Sequence, residues 1–324
     1  MIELDRLLKN IIIHPEQGYA LYLYDGGNEL TKVKGKRNIC VDDEITLNSN
    51  FRLASVTKQF IAFGIVHLIK KGLLSYDTSI KSIFSELPDY FNNINVKNLL
   101  NHTSGIYNYE SMEHSDNDPQ LQDDDIIEFL KKTDGTYFEI GSTYKYSNTA
   151  YILLGLIIKK IANCSIGEFF DKEVFHKAGM IHSVVNYEGV TNVYERAYGH
   201  VITENKLIMK DQYWCSATIG DGGLYSSVND LKKWVKFLVT SEEYKDMKVP
   251  NYINASSYNE YGLGIRIIDV DGKKIVYHCG ETIGTNTLVL FSEDYNICLI
   301  LLTNVDGVNT SIMKDNLIDY LING

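Results

Sequence analysis

The sequence predicts an α+β fold: an antiparallel sheet with flanking helices, joined to a mainly helical region. Three observations predict it. Alternating apolar and polar runs broken by turn signals lie near both chain ends. Long apolar segments with helical spacing occupy the middle. At 324 residues the chain suits one domain with a large insertion, or two domains. Strand pairs at both ends imply that the ends meet in one sheet. Residues 1–54 and 216–324 are therefore assigned to the sheet region, and 55–215 to the helical region.

The elements follow in order. The opening "MIELDRLLKN" has the Ile/Leu spacing of a short amphipathic helix and is too polar for the apolar core of a signal peptide. "GYALYLYDGGNELTKVKGKRN" reads as a hairpin turning at Asp25-Gly26-Gly27. Apolar helices are expected at 55–74 and 148–163, and a third from Asp230, with Asp230 as its N-cap. The acidic run 111–125 reads as a solvated loop entering a helix at 123–132. Loops are expected at 106–125 and 186–215. Two more strand pairs follow, around Asp271-Gly272 and the turn after Ser292, and an amphipathic helix closes the chain.

The formal charge of −11 speaks against a phosphate-binding surface, so no nucleic acid is expected as partner. Five scattered cysteines without a C-x-x-C pair fit reduced thiols. No H-E-x-x-H is present, and neither a metal nor another cofactor is expected. The apolar runs fall far below the ~20 residues of a membrane span. These features describe a soluble protein, with the cytoplasm favoured over export.

Three short motifs carry the chemistry. Ser55 and Lys58 stand three apart at the start of a helix, so they share a face, and the helix N-terminus favours developing negative charge. A buried lysine can serve as base to a serine nucleophile. The spacing alone is cheap, since S-x-x-K also occurs at 142/145 and 311/314. Tyr146 and Asn148 form a Y-x-N pair in which a phenol could relay a proton and an amide could hold a substrate, but Y-x-N recurs at 90/92 and 252/254. His278 and Gly280, on one face of a strand, form the single H-x-G. There the glycine permits close approach and the N–H of Glu281 supplies half of an oxyanion hole. Cys279 faces the other side and is read as packing. Tyr107, Tyr109, Tyr213 and Trp214 are candidates to line the pocket, with surface packing as the favoured role in a chain of 23 tyrosines.

Taken in order, "SVTK", "YSN" and "HCG" resemble the three motifs of the penicillin-recognising serine hydrolases, above all the class C β-lactamase-related family. "VKNLLNHTSGI", "GDGGLYSSVNDLKKW" and "YGLGIRI" are similar to flanking elements of that family. The resemblance implies a β-lactamase/transpeptidase-like fold and a Ser55 acyl-enzyme. It makes Lys58 the base, Tyr146 the proton shuttle, and Asn148, His278, Gly280 and Glu281 the substrate contacts. It implies a small amide, peptide or ester as substrate, with β-lactams as candidate substrates or inhibitors. The alternative is a penicillin-binding or sensing protein that acylates with little turnover; a third is a silent scaffold. His278 stands where β-lactamases of this class carry lysine, and histidine ordinarily titrates near neutral pH. His102 of "NHTSG" is expected to be structural.

Overall fold

A computed structural model describes residues 7–115, 118–250, 252–253 and 259–323. The amphipathic segment expected at the N-terminus therefore lies partly outside the described residues. From Leu7 onward it contributes Leu7, Leu8 and Ile11 to the core.

The dominant element is an eight-stranded sheet built from both ends of the chain. Its strands are β1 (Tyr19–Asp25), β2 (Asn28–Lys34), β3 (Tyr252–Ile253), β4 (Asn259–Tyr261), β5 (Arg266–Val270), β6 (Lys273–Thr282), β7 (Thr285–Ser292) and β8 (Ile297–Thr303). The spatial order is β3-β4-β5-β6-β7-β8-β1-β2, and every neighbouring pair is antiparallel. The N-terminal strand joins the last one in register, from Tyr19 opposite Thr303 to Asp25 opposite Ile297.

Because side chains alternate along a strand, the sheet separates two cores. Leu21, Leu23, Leu288, Leu290, Leu299 and Leu301 face a layer formed by the segment after Leu7 and the closing helix. Ala20, Tyr22, Val289, Phe291, Ile300 and Leu302 face the helical region. In β6 the same alternation puts Cys279 with the first layer. His278 and Gly280 then share the helical face with Val276.

Against that face packs α1 (Thr57–Lys70), of which eleven residues are buried. It crosses α2 (Asn148–Ala162), an almost wholly apolar helix capped by Ser147, whose side chain accepts from the Ala150 N–H. α3 (Val228–Val239) completes the layer with Trp234, which stacks on Phe60 at 4.0 Å and donates its indole N–H to Gln59 Oε1 at 3.0 Å. α4 (Thr310–Asn323) covers the opposite face of the sheet with Met313 and Leu317.

Several expectations need adjustment. Ser55 sits in a 3-10 turn, Ala54–Val56, ahead of α1 rather than inside it. α1 stops at Lys70, not 74, because Gly72 takes φ +72° and the Leu73 N–H returns to Leu68 O. The cap of α3 is Ser227, which accepts from the Asp230 N–H. Asp230 lies one turn in and buried, and its Oδ2 accepts from the N–H groups of His182 and Ser183. The segment 186–215 holds a hairpin, His200–Thr203 with Lys206–Met209. Its turn residues Glu204 and Asn205 both have positive φ, a two-residue turn that usually announces itself with glycine. The five cysteines are free. No single helix among the described residues is long and apolar enough to cross a membrane.

The Phe60–Trp234 stack joins α1 to α3 at the centre of this layer. Phe60→Ala should lower stability by about 3–5 kcal/mol, since the rigid neighbours cannot collapse into the space. Urea unfolding of the two proteins measures the difference. A loss below about 1 kcal/mol would show that the stack is not what holds the helices.

Candidate active site

The turn carrying Ser55 is fixed from three sides. Phe51–Arg52 pairs with Leu224–Ser226, which also pairs with Val184–Val185. Leu53 N–H donates to Leu224 O at 2.8 Å, and Leu224 N–H in turn donates to Thr57 Oγ1 at 3.3 Å. Ala54 then adopts φ +46°, a left-handed conformation that non-glycine residues adopt at an energetic cost and that the surrounding pairings impose. The third side is β6. A side chain at Gly280 would strike Leu53 O at 2.1 Å and Thr287 Oγ1 at 2.4 Å, and would lie 3.1 Å from Ser55 N. Only glycine lets the strand approach the serine so closely.

Lys58 ties the site together. Its nitrogen donates to Ser55 Oγ at 3.0 Å, to Asn148 Oδ1 at 2.7 Å and to Asp221 O at 2.9 Å. The lysine is fully buried. It also lies 5.0 Å from the centre of the Tyr146 ring. Ser55, Lys58, Tyr146 and Asn148 thus converge from the 3-10 turn, α1, the loop before α2 and the start of α2. The other S-x-x-K copies do not join them: Ser142 is tied to Glu139 O, and Lys314 pairs with Asp315 on α4.

A cleft of about 250 Å³ opens over Ser55, lined also by Glu110, Asn148, Asp221 and Glu281. Tyr109 and Tyr213 line it too, so two of the four aromatics for which surface packing was favoured over pocket lining belong to the cleft wall. Trp214 backs Tyr109 edge-on at 5.8 Å, while Tyr107 packs on Tyr137. A larger hollow of about 320 Å³ lies between α3 and the sheet, with Tyr22, Val235, Phe291 and Cys298 in its wall. The serine in its wall, Ser292, donates to Lys274 O rather than to a base, and chemistry rather than size locates the site over Ser55.

His278 departs from expectation. It is buried, stands outside the cleft lining, and ends a directional chain of hydrogen bonds. Ser147 N–H donates to His102 Nδ1 at 3.1 Å, which leaves the proton of a neutral ring on Nε2. That nitrogen bonds Tyr261 Oη at 3.0 Å, and the tyrosine hydroxyl reaches His278 Nε2 at 3.5 Å. His278 Nδ1 lies 2.6 Å from Cys279 O, so it bears the proton and Nε2 accepts. Burial depresses both histidines well below their usual range. The positive charges of Lys58 and Arg266 add to this in each, so each ring stays neutral. His102 also packs on Tyr146 at 4.5 Å, so the loop bond expected of it reaches the Tyr146-Ser147-Asn148 segment itself.

Sequence reasoning missed Glu110, Asp221, Tyr261 and Asp123. Glu110 Oε1 accepts from Asn148 Nδ2. Asp221 accepts from Tyr109 Oη and Thr218 Oγ1, both at 2.8 Å, which sets the carbonyl that Lys58 uses. Asp123 lies beneath that loop and accepts from the N–H groups of Ile219 and Gly220 at 2.7 and 3.3 Å. Burial pushes its carboxyl up to about 7, and the charge of Asp221 adds to this against the lowering effect of the two N–H donors.

Comparison with known proteins shows the family. The Beta-lactamase family model covers residues 4–322. The chain belongs to the Beta-lactamase family. Its solved structural neighbours share the β-lactamase/transpeptidase fold. Penicillin-binding protein 4* of Bacillus subtilis (strain 168) is 28% identical over 277 residues, 79% of this chain and 61% of that protein. This chain therefore spans about three-fifths of the length of that relative. An octameric penicillin-binding protein homologue from Pyrococcus abyssi superposes with a TM-score of 0.85 at 24% identity, covering 99% of this chain and 78% of the other. D-amino acid amidase from Ochrobactrum anthropi SV3 gives 0.82 at 21%, covering 98% of both. At these identities the two structures establish the fold.

Two outcomes follow from the buried groups. Because His278 is held neutral, His278→Gln should keep the shape of the pH profile for ester hydrolysis from about pH 5.5 to 8. An inflection near 6.5 that vanishes in the variant would contradict this. Asp123 has a native pKa raised above its unfolded value, so its contribution to stability is complete below about pH 4 and is lost as pH rises through about 7. Between about pH 5 and pH 8, wild type should therefore lose stability relative to Asp123→Asn, as urea titrations at each pH would show.

Proposed function

We propose that the chain is a metal-independent serine hydrolase that forms an acyl-enzyme at Ser55 with a small amide, peptide or ester. The observation that carries this reading is the 3.0 Å bond between Ser55 Oγ and the wholly buried Lys58 nitrogen. In its neutral form Lys58 keeps its two hydrogens on Asn148 Oδ1 and Asp221 O and turns its lone pair to the Ser55 hydroxyl, an acceptor for that proton within transfer reach.

In the first step Ser55 Oγ bonds to the substrate carbonyl carbon, and its proton passes to the lone pair of neutral Lys58, or to Tyr146 as phenolate. The tetrahedral oxyanion needs donors. Ser55 N–H belongs to the first helical turn, where N–H groups lack intrahelical acceptors. Glu281 supplies the second. β6 and β7 close at Thr282 opposite Thr285 around a two-residue turn. Ladder alternation then turns the Glu281 N–H, one residue back, away from β7. Loss of one such donor would lower the rate about 10²–10³-fold. The C–N or C–O bond breaks as the leaving group takes the proton, and water then attacks the acyl carbon and restores Ser55. Asn148, held by Lys58 on one atom and Glu110 on the other, presents its amide at the cleft wall.

The relatives support the chemistry from two directions. One structural neighbour is a D-amino acid amidase, which fits turnover of a small amide. Others carry the name penicillin-binding protein, which favours the second reading: a β-lactam acylates Ser55 and stays.

Intact-mass analysis after exposure to a fluorophosphonate and to a β-lactam separates these readings. Turnover is expected to give an adduct with the phosphonate and only a transient one with the β-lactam, whereas a sensor keeps a stable β-lactam adduct. Ser55→Ala should take no adduct and lose p-nitrophenyl acetate hydrolysis by about 10⁴-fold or more. A variant as fast as wild type would remove Ser55 from the mechanism.

A further inference from the structure

The hollow between α3 and the sheet is built by two residue patterns that the hydrolytic mechanism leaves unused. Along α3, Lys232, Val235, Lys236 and Val239 stand at i, i+3, i+4 and i+7, so they share one face. All four line the hollow. Leu231, Trp234 and Leu238 are buried, and Trp234 stacks on Phe60 of α1. The helix thus turns one apolar face to α1 and a second, mixed face to the hollow. Beneath that second face runs one row of cross-strand partners: Glu29 opposite Tyr24, Tyr24 opposite Cys298, and Cys298 opposite Phe291. Cysteine has the shortest side chain of the four, and a space of about 320 Å³ opens over it. Small-molecule sites start at about that size.

The floor is neutral and the rim is charged. Burial pushes the Cys298 thiol up to about 12, so it keeps its proton at neutral pH. With Val235, Val239 and Phe291 it offers an apolar body a surface out of water. Four charged side chains stand around this floor, and three of them are already matched. Lys232 donates to Glu29 Oε2 at 2.9 Å, and Glu29 Oε1 accepts from Tyr22 Oη at 3.1 Å. Glu293 pairs with Lys248 at 3.2 Å. Lys236 is exposed and pairs with no carboxylate among the described residues. The unmatched charge at the rim is therefore positive. An entering carboxylate would meet a free ammonium, whereas an entering cation would meet two carboxylates that hold partners already.

We infer that this hollow is a binding site for a small carboxylate with an apolar chain, the chain lying over Cys298 and Phe291 and the head group on Lys236. The site is distinct from the cleft over Ser55, with which it shares no lining residue. It therefore goes beyond the hydrolase reading and stands or falls without it.

Titration calorimetry of the full chain at neutral pH and low salt, with octanoate, octan-1-ol and octylammonium, tests this. The three probes share one chain and differ in the charge of the head group. Octanoate should saturate a single site and bind about 5- to 10-fold more tightly than octan-1-ol, between the worth of an exposed ion pair and of a hydrogen bond to a charged group. Octylammonium should be weakest, and the preference for octanoate should shrink as salt rises. Lys236→Gln, at an exposed position, should bring octanoate down to the level of octan-1-ol. Cys298→Leu should fill the floor and abolish binding of both, with its urea midpoint showing that the fold is kept. Should that variant fail to fold, the comparison of wild type with Lys236→Gln decides. No saturable octanoate binding in the millimolar range would overturn the inference. So would equal binding of the three probes, a preference for octylammonium, an octanoate affinity unchanged in Lys236→Gln, or binding retained in a folded Cys298→Leu. Hydrolysis of p-nitrophenyl acetate, followed separately, reports on Ser55 and leaves these outcomes untouched.

Discussion

A lysine head group withdrawn from water must find an acceptor for each of its hydrogens, and the organisation of the site follows from how Lys58 does so. Its three partners come from separate parts of the chain: a serine one turn away, the first residue of α2, and a backbone carbonyl in the 218–222 loop. An unpaired buried ammonium would be strongly destabilising, so these three segments are held to one arrangement. Around that point the remaining polar contacts form a second layer. Asp221 is steered by Tyr109 and Thr218, the loop is carried by Asp123, and the Tyr146-Ser147-Asn148 segment is carried by His102. Ser55 is thus placed by interactions that settle a polar head group out of water.

Legibility in the sequence depended on whether a role belongs to a residue type or to its surroundings. The strands were readable because alternation and the Asp25-Gly26-Gly27 and Asp271-Gly272 turns are local signals. The hairpin at 200–209 was not, because its turn uses Glu204 and Asn205 in place of glycine. Ser55, Lys58, Tyr146 and Asn148 were readable from their order along the chain, and the structure brings them together. Asp221 was hidden because it offers Lys58 a carbonyl, which every residue has. Tyr261 was one of 23 tyrosines, and it is a strand position that makes it the bridge between two histidines. The charge of His278 was misjudged for a related reason. Its residue type suggests titration near neutrality, while burial and two nearby cations suppress it.

Glycine at 280 shows how a strand can serve both sheet and site. Its outward neighbour Cys279 faces the far core, and Gly280 itself is pressed against the serine turn. A methyl group there would displace Leu53 O and the Thr287 hydroxyl that donates to it at 2.9 Å. The same contact that closes the sheet onto the helical layer therefore sets the distance between Ser55 and the backbone of β6. Packing and geometry of the site cannot be varied independently at this position.

The pairing of β1 with β8 gives the protein a temporal property. Ser55 emerges early during synthesis, yet the strand it must meet at Gly280 follows 225 residues later, counted as 280 less 55. The place of β1 in the sheet stays open until Ile297–Thr303 has been made. Contacts so distant in sequence form slowly and late. Until Lys273–Thr282 is made, Ser55 has no β6 beside it. Ser55 thus waits through most of the chain's own synthesis for the strand that completes its surroundings.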